Sequence, residues 1–295
     1  MWRLTEKEIE TLKTSRVVVS LSGGKDSTAC ALLLEHHGIQ FESIFMDTGW
    51  EHPALYQYID QVLRPRFGLV HVLKSERFPG GMVEAIKKKG IFPSRRIRYC
   101  TEEFKIKPRD QFLKGLEGQS VVHVVGIRRE ESEHRSKFPR WDYNEALGVD
   151  MFYPLVDHSF DQIIAMHNEK NIAPNPLYLQ GMERVGCFPC IYARKSEVAK
   201  LGDLMPERVE QIENLEIELT KRAREKNPES GPRVFFGPRV GVESGTIREV
   251  VEWAQTDHGG RQFRLFDETA ADGCLRWGMC DRALTAEELR KVGKK

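Results

Sequence analysis

The chain has 295 residues, 40% of them hydrophobic and 30% charged, a composition typical of an ordinary soluble protein with a full apolar core. No run approaches the roughly 20 apolar residues of a membrane span, and the first residues lack a signal peptide's apolar segment, so we expect a cytoplasmic protein without membrane contacts. A formal net charge of +1 excludes a global attraction to nucleic acid, so such a partner would need a local basic patch.

Strand and helix signals alternate along the first half of the chain. Residues 5–8 have the pattern of a capping box that opens a short helix, and the β-branched run at 17–21 predicts a buried strand. Further strands are predicted at 41–46, 69–73 and 120–125, and helices at 26–38, 52–66 and 101–116. The alternation predicts an α/β fold with a parallel, five-stranded, doubly wound sheet of the Rossmann-like kind.

The alternation fades beyond about residue 150. Eight prolines between positions 154 and 238, together with a charged helical stretch at 207–226, predict a smaller, irregular and mostly helical C-terminal region. We therefore expect a main α/β domain at residues 1–180 and a Cys-rich region at 181–295.

Residues 20–27 read Ser-Leu-Ser-Gly-Gly-Lys-Asp-Ser and join the first strand to the first long helix. A glycine-rich turn at a helix N-terminus exposes backbone amides, and these amides and the helix dipole favour a bound phosphate. Lys25 adds a positive charge, Asp26 can orient the loop or help to hold Mg²⁺, and hydroxyl groups add donors. The sequence therefore predicts a nucleotide phosphate site at Ser20, Ser22, Gly23, Gly24, Lys25, Asp26 and Ser27.

This loop resembles the PP-loop of N-type ATP pyrophosphatases and differs from the Gly-x-x-x-x-Gly-Lys-Ser/Thr loop of P-loop NTPases. Further segments follow in order: Phe-Met-Asp-Thr-Gly at 45–49, Cys-Thr at 100–101, Gly-Ile-Arg at 126–128, Asn-Pro-Leu-Tyr at 175–178 and Gly-Cys-Phe-Pro-Cys at 186–190. Over residues 15–200 the chain is similar to the phosphoadenosine phosphosulfate (PAPS) reductase family, which has the HUP/PP-loop fold. The resemblance implies an adenine and ribose site that includes Met46, Asp47 and Gly49, and a phosphate or sulfate site that includes Gly126 and Arg128.

The loop also departs from the sulfonucleotide reductases. Those enzymes usually lack its lysine and aspartate, and they carry a nucleophilic cysteine in a C-terminal Glu-Cys-Gly segment that this sequence does not contain. The pattern at 98–106 resembles more closely the ATP-dependent sulfur-transfer branch, which includes DNA phosphorothioation proteins.

The resemblance implies an enzyme that cleaves ATP to AMP and pyrophosphate and activates an acceptor for sulfur transfer. Its catalytic residues would be Lys25, Asp26 and Cys100. Two alternatives stay open, a reductase of PAPS or adenosine phosphosulfate (APS) and a non-catalytic, nucleotide-binding accessory subunit.

Six cysteines without a secretory signal favour metal or thiol chemistry over disulfides. The pair Cys187 and Cys190, with Cys274 and Cys280, would suit a [4Fe–4S] cluster or a structural Zn²⁺, and we predict one metal centre on these four thiols. Resemblance to the APS reductases implies a second assignment, in which Cys100 joins Cys187, Cys190 and one C-terminal cysteine. In the first assignment Cys100 is free to carry sulfur, and neighbouring basic residues would lower its pKa.

Nine Lys or Arg and two acidic residues lie at positions 87–109, a local net charge of +7. Such a stretch can guide a polyanionic acceptor, although an ordinary solvated surface gives the same pattern. We expect an adenine nucleotide as ligand, a nucleic-acid or other polyanionic acceptor, and a sulfur-donor protein as partners. The sequence leaves the oligomeric state open.

Overall fold

The computed structural model describes residues 2–237 and 242–256, in which six strands form one sheet with the spatial order β3-β2-β1-β4-β6-β5. The first five in that order run parallel, and β5 pairs antiparallel with β6. The predicted five-stranded parallel sheet is therefore confirmed, with one antiparallel strand added at its edge. The strands are β1 (Arg16–Ser20), β2 (Glu42–Met46), β3 (Val70–Leu73), β4 (Val121–Val124), β5 (Trp141–Asn144) and β6 (Val149–Phe152).

Helices cover both faces of this sheet, and none of those described is long and apolar enough to cross a membrane. Two π-helical turns, Ile59–Leu63 and Glu102–Ile106, continue α3 into α4 and α6 into α7. The helices are α1 (Glu6–Thr14), α2 (Lys25–His36), α3 (Pro53–Tyr58), α4 (Arg64–Phe67), α5 (Gly81–Lys89), α6 (Tyr99–Thr101), α7 (Lys107–Lys114), α8 (Phe160–Glu169), α9 (Pro176–Leu179), α10 (Lys195–Leu204), α11 (Pro206–Lys226) and α12 (Ile247–Ala254).

The central strand β1 fixes where the phosphate loop lies. It is bonded to β2 on one side and to β4 on the other, and α2 follows it directly. On one face of the sheet α2 packs against α8, and Leu33 and Ile163 belong to the same buried cluster. On the other face, Leu113 of α7 and Val18 of β1 share a second buried cluster. The strand order changes direction between β1 and β4, so the carboxyl ends of these strands form the crevice in which doubly wound sheets bind ligands.

In the described part of the region at 181–295, which ends at residue 256, the helices are α10, α11 and α12, as the prediction of a mostly helical region expects. Its apolar side chains share one buried cluster with residues of the sheet domain, including Trp50 and Phe104. The division of the chain at residue 180 therefore stays a prediction.

A buried carboxylate ties this helical region together. Glu216 on α11 is 4% exposed, and its oxygens accept hydrogen bonds from Phe235 N at 2.9 Å and from Ile247 N, the first residue of α12, at 3.0 Å. Burial raises the pKa of Glu216 to about 7, although these backbone hydrogen bonds oppose the shift. The folded protein thus holds the proton more tightly than the unfolded chain, so this group favours folding below the unfolded pKa and loses that contribution as the pH rises toward 7.

We predict that, from pH 5 to pH 8, the free energy of unfolding falls by about 1 to 2 kcal/mol more in the wild-type protein than in Glu216→Gln. The amide cannot ionise, so it removes this pH dependence. Urea unfolding at both pH values measures the difference, with the exposed Glu229→Gln as the matched control. Parallel pH dependence in the wild type and Glu216→Gln would contradict this account.

Candidate functional site

The loop between β1 and α2 turns at Gly23 and enters the helix at Gly24. Gly23 has a φ of +71°, which favours glycine, and a Cβ at this position would lie 2.3 Å from Leu55 Cδ1. Gly24 is the N-cap of α2 and has no side chain with which to cap it. The first turn of α2 therefore directs backbone amides and the positive end of the helix dipole toward the crevice.

Strand β4 leads into a close contact with this first turn. A Cβ at Gly126 would lie 2.8 Å from the carbonyl carbon and oxygen of Asp26 and 2.9 Å from Ser27 N. Glycine is thus required for the approach, and two residues later the chain brings Arg128 to the loop.

Lys25, Asp26 and Arg128 form one ion network at the loop. Asp26 Oδ2 lies 2.8 Å from Lys25 Nζ, and Asp26 Oδ1 accepts a hydrogen bond from Arg128 Nε at 2.6 Å. Arg128 Nη1 also donates to Glu130 Oε2 at 2.8 Å. The structure therefore brings together the three charged residues predicted for the phosphate site, and pairs two positive with two negative groups.

Three serines brace the loop or line its edge. Ser27 Oγ donates to Gly24 O at 3.0 Å and accepts from Ser22 N at 3.1 Å. Ser20 Oγ lies 2.8 Å from Nε2 of His123 on β4, and burial lowers the pKa of His123 to about 3, so the ring is neutral. Ser22 is the exposed serine of the three, and its hydroxyl is the most accessible to a ligand.

Three side chains, one from α8, one from α9 and one from the N-cap residue of α9, hold the loop backbone, and none of them was predicted as a site residue. His167 Nε2 lies 2.8 Å from Lys25 O, and Asn175 Nδ2 donates to Gly23 O at 3.2 Å. The Tyr178 hydroxyl accepts from Lys25 N at 3.0 Å. Since both backbone groups of Lys25 are engaged, the shape of the loop depends on these long-range contacts.

The residues expected near adenine and ribose lie at the end of β2, the strand beside β1. Met46 is half-buried there, and Asp47 Oδ1 accepts hydrogen bonds from Gly49 N at 2.9 Å and from the Tyr56 hydroxyl at 2.7 Å. Asp47 Oδ2 lies 3.4 Å from Lys74 Nζ. The parallel sheet thus places both predicted parts of the nucleotide site at one edge.

Glu51, another residue that the sequence analysis missed, joins this edge to Cys187. It is 5% exposed, accepts from Thr48 Oγ1 at 2.7 Å and from the Tyr56 hydroxyl at 2.9 Å, and its Oε1 lies 3.9 Å from Cys187 Sγ. A backbone bridge pairs Glu51 with Cys187 directly. The Cys-x-x-Cys segment is therefore attached to the end of β2.

The thiols of this site gather around Lys105. Lys105, Cys187 and Cys190 line one small cavity, and the pKa of Lys105 is raised, chiefly by Cys187 and also by Cys190, Glu51 and Cys100. Burial raises the pKa of Cys187 to about 11, with Lys105 opposing the shift.

The expectation that basic neighbours lower the pKa of Cys100 is wrong for this structure. Burial raises that pKa, and the opposing effects of a Thr101 hydrogen bond and of Lys105 are smaller than the effect of burial. Arg98 instead stacks on the ring of Tyr192, with its guanidinium carbon 5.4 Å from the ring centroid.

The basic stretch at 87–109 is largely neutralised by neighbouring carboxylates. Five of its nine cations have carboxylate partners: Lys87, Lys88, Lys89, Lys107 and Arg109. Arg95, Arg96 and Arg98 are exposed and form no ion pair with any described residue. The predicted patch therefore narrows to these three arginines, of which Arg95 and Arg98 lie over the ring of Tyr192.

The predicted metal centre extends beyond the described residues, because Cys274 and Cys280 lie outside them. Within residues 2–237 and 242–256, no three His, Cys, Asp or Glu side chains are grouped so as to hold a metal ion. Each assignment of ligands includes a thiol beyond residue 256, so both stay predictions.

Alanine substitutions at two glycines can distinguish the cost of backbone strain from the cost of a steric clash at the loop. Gly23 and Gly38 both have positive φ, but a Cβ at Gly38 would meet nothing within 4 Å. We predict that Gly38→Ala costs about 1 kcal/mol of unfolding free energy, and that Gly23→Ala costs a further 1 to 3 kcal/mol, approximately, because its methyl group overlaps Leu55. Chemical denaturation measures both, and equal losses would show that the contact with Leu55 does not matter.

The sequence is similar to that of several known proteins. Residues 16–193, more than half of the chain, match the phosphoadenosine phosphosulfate reductase domain. The chain is 31% identical to an uncharacterized 37.8 kDa protein of Escherichia phage 186, over 85% of this chain and 92% of that protein. It is 26% identical to the adenosine 5′-phosphosulfate reductase of Neisseria meningitidis, over 49% of this chain and 59% of that enzyme. Among solved structures it is similar to the PAPS reductase of Candida auris in its phosphate complex, with a TM-score of 0.49 and 17% identity over 64% of this chain and 98% of that one. The chain therefore belongs to the phosphoadenosine phosphosulfate reductase domain family.

Proposed function

We propose that this protein is an adenine-nucleotide enzyme that cleaves ATP to AMP and pyrophosphate and so activates an acceptor for sulfur transfer. One observation carries the proposal: Lys25, Asp26 and Arg128 meet at the N-terminus of α2. A site that only binds a sulfonucleotide does not need a carboxylate there, whereas a site that cleaves a triphosphate needs a ligand for Mg²⁺ beside its cations.

In this proposal the amides of the first turn of α2, with Lys25 and Arg128, bind the phosphates and stabilise the charge that develops on them. Asp26 would hold Mg²⁺, which supplies Lewis-acid polarisation of the phosphate oxygens when bound. An acceptor oxygen attacks the α-phosphorus of ATP. The bond between the α-phosphorus and the oxygen that bridges the α- and β-phosphates breaks, and pyrophosphate leaves. A sulfur nucleophile then displaces AMP from the activated acceptor.

The cysteines have two separable roles in this proposal. Cys187 and Cys190 would be ligands of a [4Fe–4S] cluster or Zn²⁺, completed by thiols from the C-terminal region, and the ammonium of Lys105 would balance their negative charge. Cys100 is either a third ligand or a sulfur carrier. Cys190 raises the pKa of Cys100, and Cys100, Cys187 and Cys190 all raise the pKa of Lys105. These electrostatic interactions support one shared site for both roles.

The acceptor is the least constrained part of the proposal. Arg95, Arg96 and Arg98 are exposed and have no carboxylate partner among residues 2–237 and 242–256. Guanidinium groups suit a polyanion such as nucleic acid, because they bind phosphate oxygens in a bidentate manner. A sulfur-donor protein would be required to renew the transferred sulfur.

A second candidate function is reduction of a sulfonucleotide. Three cysteines lie near the edge of the sheet at which the nucleotide site is predicted, and this arrangement favours a reductase. Similarity to an APS reductase favours it as well. The two functions differ in their products, since the first releases pyrophosphate and the second releases sulfite.

We predict that the anaerobically prepared protein forms AMP and pyrophosphate from ATP and Mg²⁺ when a polyanionic acceptor is supplied, and that it releases no sulfite from PAPS or APS. Phosphorus NMR identifies the nucleotide products, and a colorimetric assay detects sulfite. Sulfite release without pyrophosphate would establish the reductase, and nucleotide binding without either product would indicate an accessory subunit.

We predict that Lys25→Ala weakens the binding of ATP with Mg²⁺ by about tenfold or more, because one charge-assisted phosphate contact is worth about 1.5 to 3 kcal/mol. Lys221→Ala, an exposed change on α11, should leave the affinity unchanged. Isothermal titration calorimetry measures both. An unaltered affinity in Lys25→Ala would refute the location of the phosphate site.

We predict that Cys187→Ser and Cys190→Ser each lose the bound iron or zinc, whereas Cys30→Ala, a buried change inside α2, retains it. Metal analysis of anaerobic preparations measures the content. Cys100→Ser decides between the two ligand sets, because it keeps the metal if Cys100 carries sulfur and loses it if Cys100 is a ligand. Full metal content in Cys187→Ser would rule out both sets.

A further inference from the structure

We propose that Glu51 is a positioning residue that makes the site select a nucleotide with a ribose hydroxyl, and that it acts through the single hydroxyl hydrogen of Tyr56. Tyr56 lies between two carboxylates, those of Glu51 and Asp47, and cannot serve both fully at once. This inference rests on the proposed function, because it takes the ribose of the nucleotide to lie at the end of β2, beside Asp47.

Glu51 is enclosed by donors on the turn after β2 and on α3. Its Oε1 accepts from Thr48 Oγ1 at 2.7 Å. Its Oε2 accepts from Thr48 N at 3.2 Å, from Trp50 N at 3.1 Å and from the Tyr56 hydroxyl at 2.9 Å. The residue is only 5% exposed, so an effect of Glu51 on nucleotide binding must pass through a neighbour. Tyr56 is such a neighbour, because it also contacts Asp47.

The Tyr56 hydroxyl faces more acceptors than it has hydrogens. Its oxygen lies 2.7 Å from Asp47 Oδ1 and 2.9 Å from Glu51 Oε2, and a hydroxyl has one hydrogen, whereas an ionised carboxylate only accepts. Burial and the nearby carboxylates of Glu51 and Asp47 raise the pKa of Tyr56, so the hydroxyl keeps this hydrogen. Without a further donor, one of the two short contacts lacks a hydrogen, which is costly for groups shielded from water.

A hydroxyl group of the ligand can supply the missing hydrogen at Asp47. The side chain of Asp47 is 10% exposed at the edge of the sheet, and the nearby ammonium of Lys74 lies 3.4 Å from its Oδ2. Once a ribose hydroxyl donates to Asp47, Tyr56 can direct its hydrogen to Glu51, and both carboxylates are satisfied. A deoxyribose lacks this donor. Because Glu51 competes for the Tyr56 hydrogen, it increases the gain from the ribose hydroxyl.

The test uses calorimetric titration of the full chain with ATP, 2′-deoxy-ATP and 3′-deoxy-ATP, each with Mg²⁺ and without an acceptor. The measured quantity is the ratio of the dissociation constant of the weaker-binding deoxynucleotide to that of ATP, because changes in overall affinity cancel in this ratio. We compare the wild type with Glu51→Gln, Tyr56→Phe and the double variant.

Tyr58→Phe is the matched control, since it removes a hydroxyl from the same helix, one that donates to Ala173 O at 2.7 Å and not to a carboxylate. Circular dichroism and thermal unfolding verify that each variant is folded.

For the wild type and Tyr58→Phe we expect a ratio of about tenfold or more, the equivalent of one charge-assisted hydrogen bond. Glu51→Gln should reduce the ratio to within about threefold, because its amide can donate to the Tyr56 oxygen and leave the Tyr56 hydrogen to Asp47. Tyr56→Phe should keep the ratio at about tenfold, since Asp47 still lacks that hydrogen. Adding Glu51→Gln to Tyr56→Phe should change the ratio by less than about twofold, because the connection is already broken.

Three results would overturn the inference while leaving the proposed function in place. The first is a wild type that binds both deoxynucleotides as tightly as ATP. The second is a folded Glu51→Gln with the same ratio as the wild type, and the third is an effect of Glu51→Gln that is equally large in the Tyr56→Phe background. A wild-type protein that binds none of the three nucleotides would instead reject the proposed function, and this inference with it.

Discussion

The rest of the structure depends on one constraint, that the N-terminus of α2 must stand at the carboxyl end of β1 with its backbone in a fixed shape. Glycine at positions 23 and 126 permits the close approach of α3 and of the chain after β4. His167, Asn175 and Tyr178 then bond to loop groups that would otherwise be buried without partners. A backbone held in this way is preorganised for an anion, since its amides need not move when a phosphate binds.

The Cys-x-x-Cys segment is built into the same edge of the sheet and forms no separate module within the described residues. Phe188 N donates to Trp50 O at 2.8 Å, and Trp50 Nε1 donates to Pro189 O at 3.1 Å, so the segment is bonded on both sides to the turn after β2. Glu51 extends this connection to the side chain of Cys187. The Cys-x-x-Cys segment and the residues predicted for the adenine and ribose site therefore meet at the end of β2.

The sequence predicted those parts of the fold and site that are encoded locally. The strand, the glycine turn and the helix at 17–36 follow one another in the chain, and the alternation of elements was sufficient to predict the parallel sheet. Edge strand β5 was missed because it has only four residues, Trp141–Asn144, and such a short run is not distinguished from a turn although aromatic and polar residues alternate in it.

The parts that could not be predicted depend on contacts between distant residues or on burial. Asn175 and Tyr178 lie about 150 residues beyond the loop that they hold, and only the fold brings them to it. The pKa of Cys100 was misjudged for a related reason. Basic residues can be counted along a sequence, but the burial that outweighs Lys105 is a property of the packed structure.

The most direct test of the central claim is amide hydrogen exchange of the full chain with and without α,β-methylene-ATP and Mg²⁺. We expect the nucleotide to slow exchange at residues 22–28, where phosphate oxygens would accept hydrogen bonds from the first turn of α2, and more weakly at residues 46–49. Nucleotide-dependent protection at other segments, with residues 22–28 unchanged, would contradict the placement of the phosphate site and the function built on it.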